Sequence, residues 1–309
     1  MKLSLRIIIL ILPFLFSLAR STAQINPVSD QYVLNPILIN PAHTGQRGSL
    51  DISAFYRRQW AGIKGAPETI TLIADAPLND SKASLGFSVI TDKTGVTRET
   101  SYSTYYSYKV KLLQSELSFG LKAGLFSTNT KWSDLIVTDP GDEAYLLDSK
   151  AFILPDFSFG VYMTDKKYFA GFSIPRLIGY DFNIEKNRYS LEIKPDQYYY
   201  LFNGGYLIDL DEDISFLPSA LISFSPGEKA LLDLNAHFSF SDRMWAGLSY
   251  RSNQSMAFLV QLAISNQVKA AYSYYIDFNR LGRFSNGSHE IMLRYEFRFR
   301  ADVVNPLIF

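Results

Sequence analysis

The sequence predicts an all-β chain, a transmembrane antiparallel β-barrel of about 14 strands in a bacterial outer membrane. Three observations predict it: an export signal at the front, no later apolar run long enough for a spanning helix, and repeated segments in which apolar and polar residues alternate.

Lys2 and Arg6 form a positive n-region, and Ile7 to Ala19 form an apolar stretch interrupted by Pro13. Ser21-Thr22-Ala23 then supplies the small residues a signal peptidase reads. Residues 1–23 are therefore expected to be a cleaved signal peptide, with Gln24 first in the mature chain. Beyond Ala23 no apolar run approaches the roughly 18 residues that a membrane helix needs. An exported chain that spans a membrane without helices must close its strands, because lipid offers no partner for an open edge.

Residues 24–48 contain Asn26-Pro27, Asn35-Pro36 and Asn40-Pro41, then Gly45 and Gly48. Asn-Pro pairs start turns and interrupt strands, so this stretch reads as an irregular periplasmic arm, or as a plug in the barrel's inner mouth. The barrel itself is expected over 49–300, followed by a tail at 301–309. Its clearest strand is the last. Ile291, Leu293, Tyr295, Phe297 and Phe299 share one phase, while Arg294, Glu296, Arg298 and Arg300 share the other. The pattern recurs at 100–112, 117–125 and 231–241. In all, fourteen segments are expected near 50–59, 68–77, 83–91, 98–112, 115–130, 152–164, 168–175, 198–208, 214–224, 229–240, 243–250, 255–265, 268–276 and 288–300.

The links between them alternate in length. Short turns fall at 79–82, 113–114, 165–167, 210–213, 241–242 and 266–267. Mostly longer links fall at 60–67, 92–97, 131–151, 176–197, 225–228, 251–254 and 277–287. Outer-membrane barrels carry short periplasmic turns and long outer loops, so both ends of the chain are expected in the periplasm.

Composition narrows the function. With 30 basic and 30 acidic residues there is no charge excess to hold nucleic acid. The 20 Tyr and 23 Phe suit strands whose ends meet a membrane interface. The absence of cysteine excludes a disulfide framework and thiolate metal sites. Of the three histidines, His289 lies in the tempting run Ser288-His289-Glu290. Neighbours on a strand point to opposite faces, so these three do not converge as a catalytic triad by themselves. His237 falls on the polar phase of its strand, and His43 precedes the first strand. The loop 131–151 carries Asp139, Asp142, Glu143 and Asp148, but lacks the regular ligand spacing of a calcium loop. No nucleotide motif is present, and no enzyme, cofactor or metal site is expected.

Three blocks resemble the PorP/SprF family of Bacteroidetes outer-membrane proteins. Asn40-Pro41-Ala42-His43-Thr44-Gly45 is similar to its NPAxxG motif. Arg57-Arg58-Gln59-Trp60 with Gly65-Ala66-Pro67 resembles its RxQW…GAP block. Ala271-Tyr272-Ser273-Tyr274 with Gly287-Ser288-His289-Glu290-Ile291 resembles its AYSY…GSHE ending. Tyr275 stands where the family often carries Asp, and Asp277 is the candidate replacement. The resemblance implies a non-enzymatic component of type IX secretion and gliding motility, with outer-membrane lipid around it. The partners it implies are periplasmic ring proteins of the export machine, or the C-terminal domain of a secreted adhesin.

The expected topology puts Arg57, Gln59, Trp60, Gly65 and Pro67 beside Ser288, His289 and Glu290, because the first and last strands of a closed barrel pair. These residues are expected to form a seam latch or a partner-docking rim on the outer side. Trp60 would be an interfacial anchor, and Arg57 and Glu290 a polar pair. Asn40, Pro41, Ala42 and Gly45 mark the arm. The competing reading is a FadL-like transporter of hydrophobic or small solutes, since fourteen strands suit that size of barrel.

Overall fold

Alternation with a period of two has opposite consequences in water and in lipid. A soluble sandwich buries the apolar phase, whereas a membrane barrel turns it outward. In the computed structural model Leu293 is 54% and Ile291 53% exposed, while Arg294 is fully buried and Glu296 is 3% exposed. The wall is thus apolar outside and polar inside. That inversion identifies lipid as its solvent.

The structure describes residues 29–78, 82–134, 151–183 and 188–297. The expected signal peptide, most of the acidic loop 131–151, and the tail 301–309 lie outside the described residues. Among the described residues seventeen strands run in chain order: β1 (Leu50–Arg58), β2 (Glu68–Pro77), β3 (Ala83–Thr94), β4 (Thr97–Leu112), β5 (Ser115–Thr130), β6 (Phe152–Thr164), β7 (Tyr168–Ile174), β8 (Gly179–Asn183), β9 (Arg188–Glu192), β10 (Tyr200–Tyr206), β11 (Ile208–Asp209), β12 (Ile214–Phe224), β13 (Leu231–Phe240), β14 (Met244–Arg251), β15 (Ser255–Ala263), β16 (Val268–Asp277) and β17 (Ser288–Phe297). Strands β8 and β9 form a separate hairpin, and the rest make one antiparallel sheet. The sheet closes where β1 pairs β17, from Leu50 opposite Phe297 to Arg58 opposite His289. With β11 taken as the end of β10, the barrel has fourteen staves, in the fourteen places that the alternation predicted.

Three details differ from the sequence reading. The link expected at 92–97 is only Gly95-Val96, because the ladder continues through Asp92↔Glu99 and Thr94↔Thr97. Past the apolar belt a strand needs no apolar phase, so the periodic signal ends before the hydrogen bonds do. The eighth stave divides at Leu207 into β10 and β11, and the Leu207 N–H bonds Lys167 O one rung past Tyr206↔Tyr168. On the other side the register runs from Gly205↔Ser219 to Ile208↔Phe216, past Pro218 of β12, a residue with no N–H to give. The long link 176–197 carries the β8–β9 hairpin, which the sequence reading left as loop.

The arm lies inside the barrel. Its Asn35-Pro36 and Asn40-Pro41 pairs each open a one-turn 3-10 segment, Pro36–Leu38 and Pro41–His43, with proline at the first position where its missing N–H costs nothing. Asn40 also caps its own turn by accepting from Ala42 N–H at 2.9 Å. Tyr32, Val33, Leu34, Ile37 and Ile39 pack on inward side chains including Leu217, Leu221, Leu259 and Met292. An apolar core therefore occupies part of an otherwise polar lumen.

The NPAxxG block docks against a notch of glycines. A Cβ at Gly120 would stand 2.1 Å from Ala42 N, and one at Gly160 would stand 2.0 Å from Asn40 Oδ1. In the same notch Asn40 Nδ2 donates to Val161 O at 3.0 Å and Phe172 O at 3.2 Å. Gly45 takes a left-handed φ of 68°, which lets its N–H reach Asp75 Oδ2 at 2.6 Å. Arg47 and Arg294 both donate to Leu34 O, at 2.9 and 2.8 Å, and each faces Asp51, at 3.7 and 3.5 Å.

Three substitutions test these contacts. Gly120→Leu is expected to overfill the notch and lower unfolding free energy by about 1–3 kcal/mol, read from the urea midpoint in detergent. Arg294→Met leaves Asp51 buried beside a lost partner and is expected to cost about 3–5 kcal/mol, with the Arg294→Met/Asp51→Leu double variant regaining part of it. On the opposite phase, Leu293→Arg is expected to cost about 2–4 kcal/mol in bilayers, measured by folding titration into liposomes.

Candidate docking site at the barrel seam

The site is built by closure. β1 and β17 run antiparallel with Arg57 opposite Glu290 and Arg58 opposite His289. Beyond the last rung the pairing continues as loop against loop: Ala61 N–H donates to Gly287 O at 2.8 Å, and Asn286 N–H to Ala61 O at 2.7 Å. The two sequence blocks furthest apart in the barrel are thus joined by backbone hydrogen bonds at the long-loop end.

Trp60 turns the chain out of β1. Its φ of 43° is left-handed, an unfavourable region for a bulky residue, costing about 1–2 kcal/mol. Two hydrogen bonds across the seam hold it there. Its backbone N–H donates to Ser288 Oγ at 3.0 Å, and its indole N–H to Asp277 Oδ2 at 2.9 Å. The indole N–H is therefore committed to the β16 carboxylate. Tyr275, two residues before Asp277, spends its hydroxyl on Ser255 Oγ at 2.5 Å and its ring under Arg251.

The remaining block residues shape the loop. Gln59 N–H donates to Pro67 O at 2.9 Å, closing 59–67, and Gly65 O accepts from Gly95 N–H of the next hairpin at 2.9 Å. Gly65 and Gly287 have φ of 76° and 80°, and a Cβ at Gly287 would strike the Tyr274 ring.

The strand period then sorts the GSHE run. Ser288 and Glu290 point inward and are buried, while His289 lies on the outer wall. There its Nδ1 meets Tyr272 Oη at 2.7 Å and its ring lies 5.1 Å from that of Tyr274. Inside, Glu290 Oε1 accepts from Ser29 Oγ at 2.5 Å, and Glu290 O accepts from Gln31 Nε2 at 3.1 Å. Arg57 and Glu290 are neighbours in register, both buried on the lumen side.

The other histidines lie elsewhere. His43 sits in the arm, edge-on to Tyr162 at 5.2 Å, and His237 is buried in the β13 wall with Gly247 making room for its ring. No histidine meets the serine and carboxylate of a triad, and no metal-ligand cluster occurs among the described residues. On the same end of the barrel, Arg176 lies over the Phe126 and Tyr180 rings at 5.3 and 5.2 Å and pins the β8–β9 hairpin to the rim. At the base of that hairpin, hydrogen bonds to Glu192 and Asp181 hold the Lys194 ammonium above its usual pKa.

Sequence reasoning missed Ser29, Asp277's bond to Trp60, and the Arg47–Asp51–Arg294 group. The first two have no periodic signal, because they depend on how the arm and the loops meet. The third was visible only as polar-phase charge.

Among solved structures the chain is similar to the CymD monoaromatic hydrocarbon channel, with a TM-score of 0.51, 11% identity, and 90% of this chain and 95% of that one covered. It is also similar to a Pseudomonas aeruginosa FadL homologue (TM-score 0.45, 11% identity, 88% and 95% covered) and to Omp33 of Acinetobacter baumannii (TM-score 0.46, 7% identity, 81% and 98% covered). At these identities only the fold is shared. No curated protein matches the chain. The family model for the type IX secretion system membrane protein PorP/SprF matches residues 21–295, from the arm to the last strand. The chain belongs to the PorP/SprF family of type IX secretion membrane proteins.

Proposed function

We propose that this outer-membrane barrel is a non-catalytic docking component of type IX secretion, which helps deliver or retain a secreted partner, such as an adhesin, at the cell surface. In this reading the short turns, the start of β1 and the end of β17 face the periplasm, where ring proteins of the machine would meet them. The long-loop end faces outward. The observation that carries the reading is the convergence of 57–61 with 286–290 at that end, joined by backbone bonds and by the Trp60–Asp277 latch. A rim whose loops are cross-braced keeps one shape, and a preorganised surface binds at lower entropic cost.

A FadL-like transporter is the second reading. Its supporting observation is the inward apolar group of Leu217, Leu221, Leu259 and Met292. In the present structure those side chains are covered by the arm, so transport would require the arm to move.

Replacing Trp60 and His289 separates rim from closure. In a Trp60→Phe/His289→Ala variant the indole donor and the outer-wall imidazole are lost, while every seam backbone bond is kept. Loss of the charge-assisted Trp60–Asp277 bond and of the neutral His289–Tyr272 bond predicts a stability change of only about 2–4 kcal/mol. We expect a folded, heat-modifiable barrel with reduced adhesin at the cell surface, scored by immunoblot of intact cells. Normal surface adhesin from a folded variant would sink the docking reading. Solute uptake by purified protein in liposomes, increased by deleting 30–47, would favour transport instead.

A further inference from the structure

The arm is anchored at both ends of the lumen, and its direction is the reverse of what a periplasmic arm requires. Its last residues are at the short-turn end. Arg47 faces Asp51, the second residue of β1, and Gln46 Nε2 donates to Ser118 Oγ at 2.6 Å near the start of β5. Going backward along the chain, Asn40 bonds strands β6 and β7, and Leu34 O meets Arg294. Gln31 Nε2 then reaches Ser273 Oγ at 3.3 Å and Glu290 O, and Ser29 Oγ reaches Glu290 Oε1. Glu290 is the third residue of β17 counted from the long-loop end, and Asp51 pairs with Glu296 near the other. Six residues of strand separate Glu290 from Glu296, about 20 Å along the strand and roughly 15 Å of barrel height at the usual tilt.

We infer that the arm is threaded through the lumen with Ser29 at the long-loop mouth, beneath the Trp60–Asp277 latch, so that Ser29 is presented as part of the docking rim. The inference goes beyond an arm lodged in the inner mouth, and for its assignment to the outer surface it rests on the orientation in the proposed function. It gives the buried Glu290 a task distinct from closing the sheet: its carboxylate and carbonyl both hold the arm. It also places Ser29 where a secreted partner meets the rim, since this residue is only half-buried.

The chain has no cysteine, so each introduced thiol is unique. In cells carrying Ser29→Cys/Glu290→Cys, a short bismaleimide is expected to produce an internal cross-link, seen as a mobility shift. Ser29→Cys/Glu296→Cys is expected to give none. Single variants Ser29→Cys, Lys64→Cys and Asn266→Cys are then treated on intact cells with a membrane-impermeant maleimide. Ser29→Cys and Lys64→Cys are expected to label, and Asn266→Cys only after the outer membrane is opened. Cross-linking to position 296 instead of 290, or to neither, overturns the threading. Labelling of Lys64→Cys without Ser29→Cys overturns presentation at the rim. If Asn266→Cys labels and Lys64→Cys does not, the orientation reading fails while the cross-link still reports the threading.

Discussion

Closure of β1 on β17 is the constraint on which the other features depend. In lipid an unpaired strand edge leaves a column of N–H and C=O groups without partners, each costing several kcal/mol, so the wall exists only when the first and last strands meet. The nine-residue register from Leu50–Phe297 to Arg58–His289 does this with backbone bonds. On its inner side Arg294 of β17 reaches Asp51 and Ser53 of β1 and Leu34 of the arm. One buried guanidinium therefore links both edges of the seam to the element that fills the lumen. Buried charge is tolerated there because its counter-charge and carbonyl partners are already in place.

The lumen follows from the same economy of space. Alternation gives the inner wall small and polar side chains, and a barrel of fourteen staves encloses more room than those side chains fill. The arm supplies the missing volume. Its close approach at Gly120 and Gly160 is possible because those strand positions lack a Cβ. Strand glycine, which weakens an ordinary sheet, is here the shape that receives Asn40-Pro41-Ala42. The most distinctive motif before the barrel is thus explained by docking geometry, without any chemistry of its own.

The long-loop rim inherits its rigidity from the seam. Trp60 accepts an unfavourable backbone conformation because Ser288 and Asp277 bond it from the far end of the chain. Gly65 ties the first loop to the β3–β4 turn, extending the bracing to the next hairpin. The Glu290 row connects this rim inward to Ser29 and Gln31. A site assembled in this way reads as a surface for holding something, which is consistent with membership in a secretion family and with histidines scattered over the arm, the lumen wall and the outer face.

The sequence by itself determined the wall. Period-two alternation, as in Ile291 to Phe297, depends only on local side-chain direction, so fourteen strands and the alternation of short turns with mostly longer links were legible from residue order. The meeting of Arg57–Trp60 with Gly287–Glu290 was legible for the same reason, because closure of any barrel brings its ends together. Tertiary structure decided the rest. That Trp60 bonds Asp277, that the β3–β4 link shrinks to two residues, and that Arg294 serves both seam and arm depend on contacts between distant segments, which have no period to read. The path of the arm is the clearest case. Asn-Pro pairs announce turns from local backbone limits, but which way those turns run through the lumen is set by where glycine notches and buried carboxylates meet them in three dimensions.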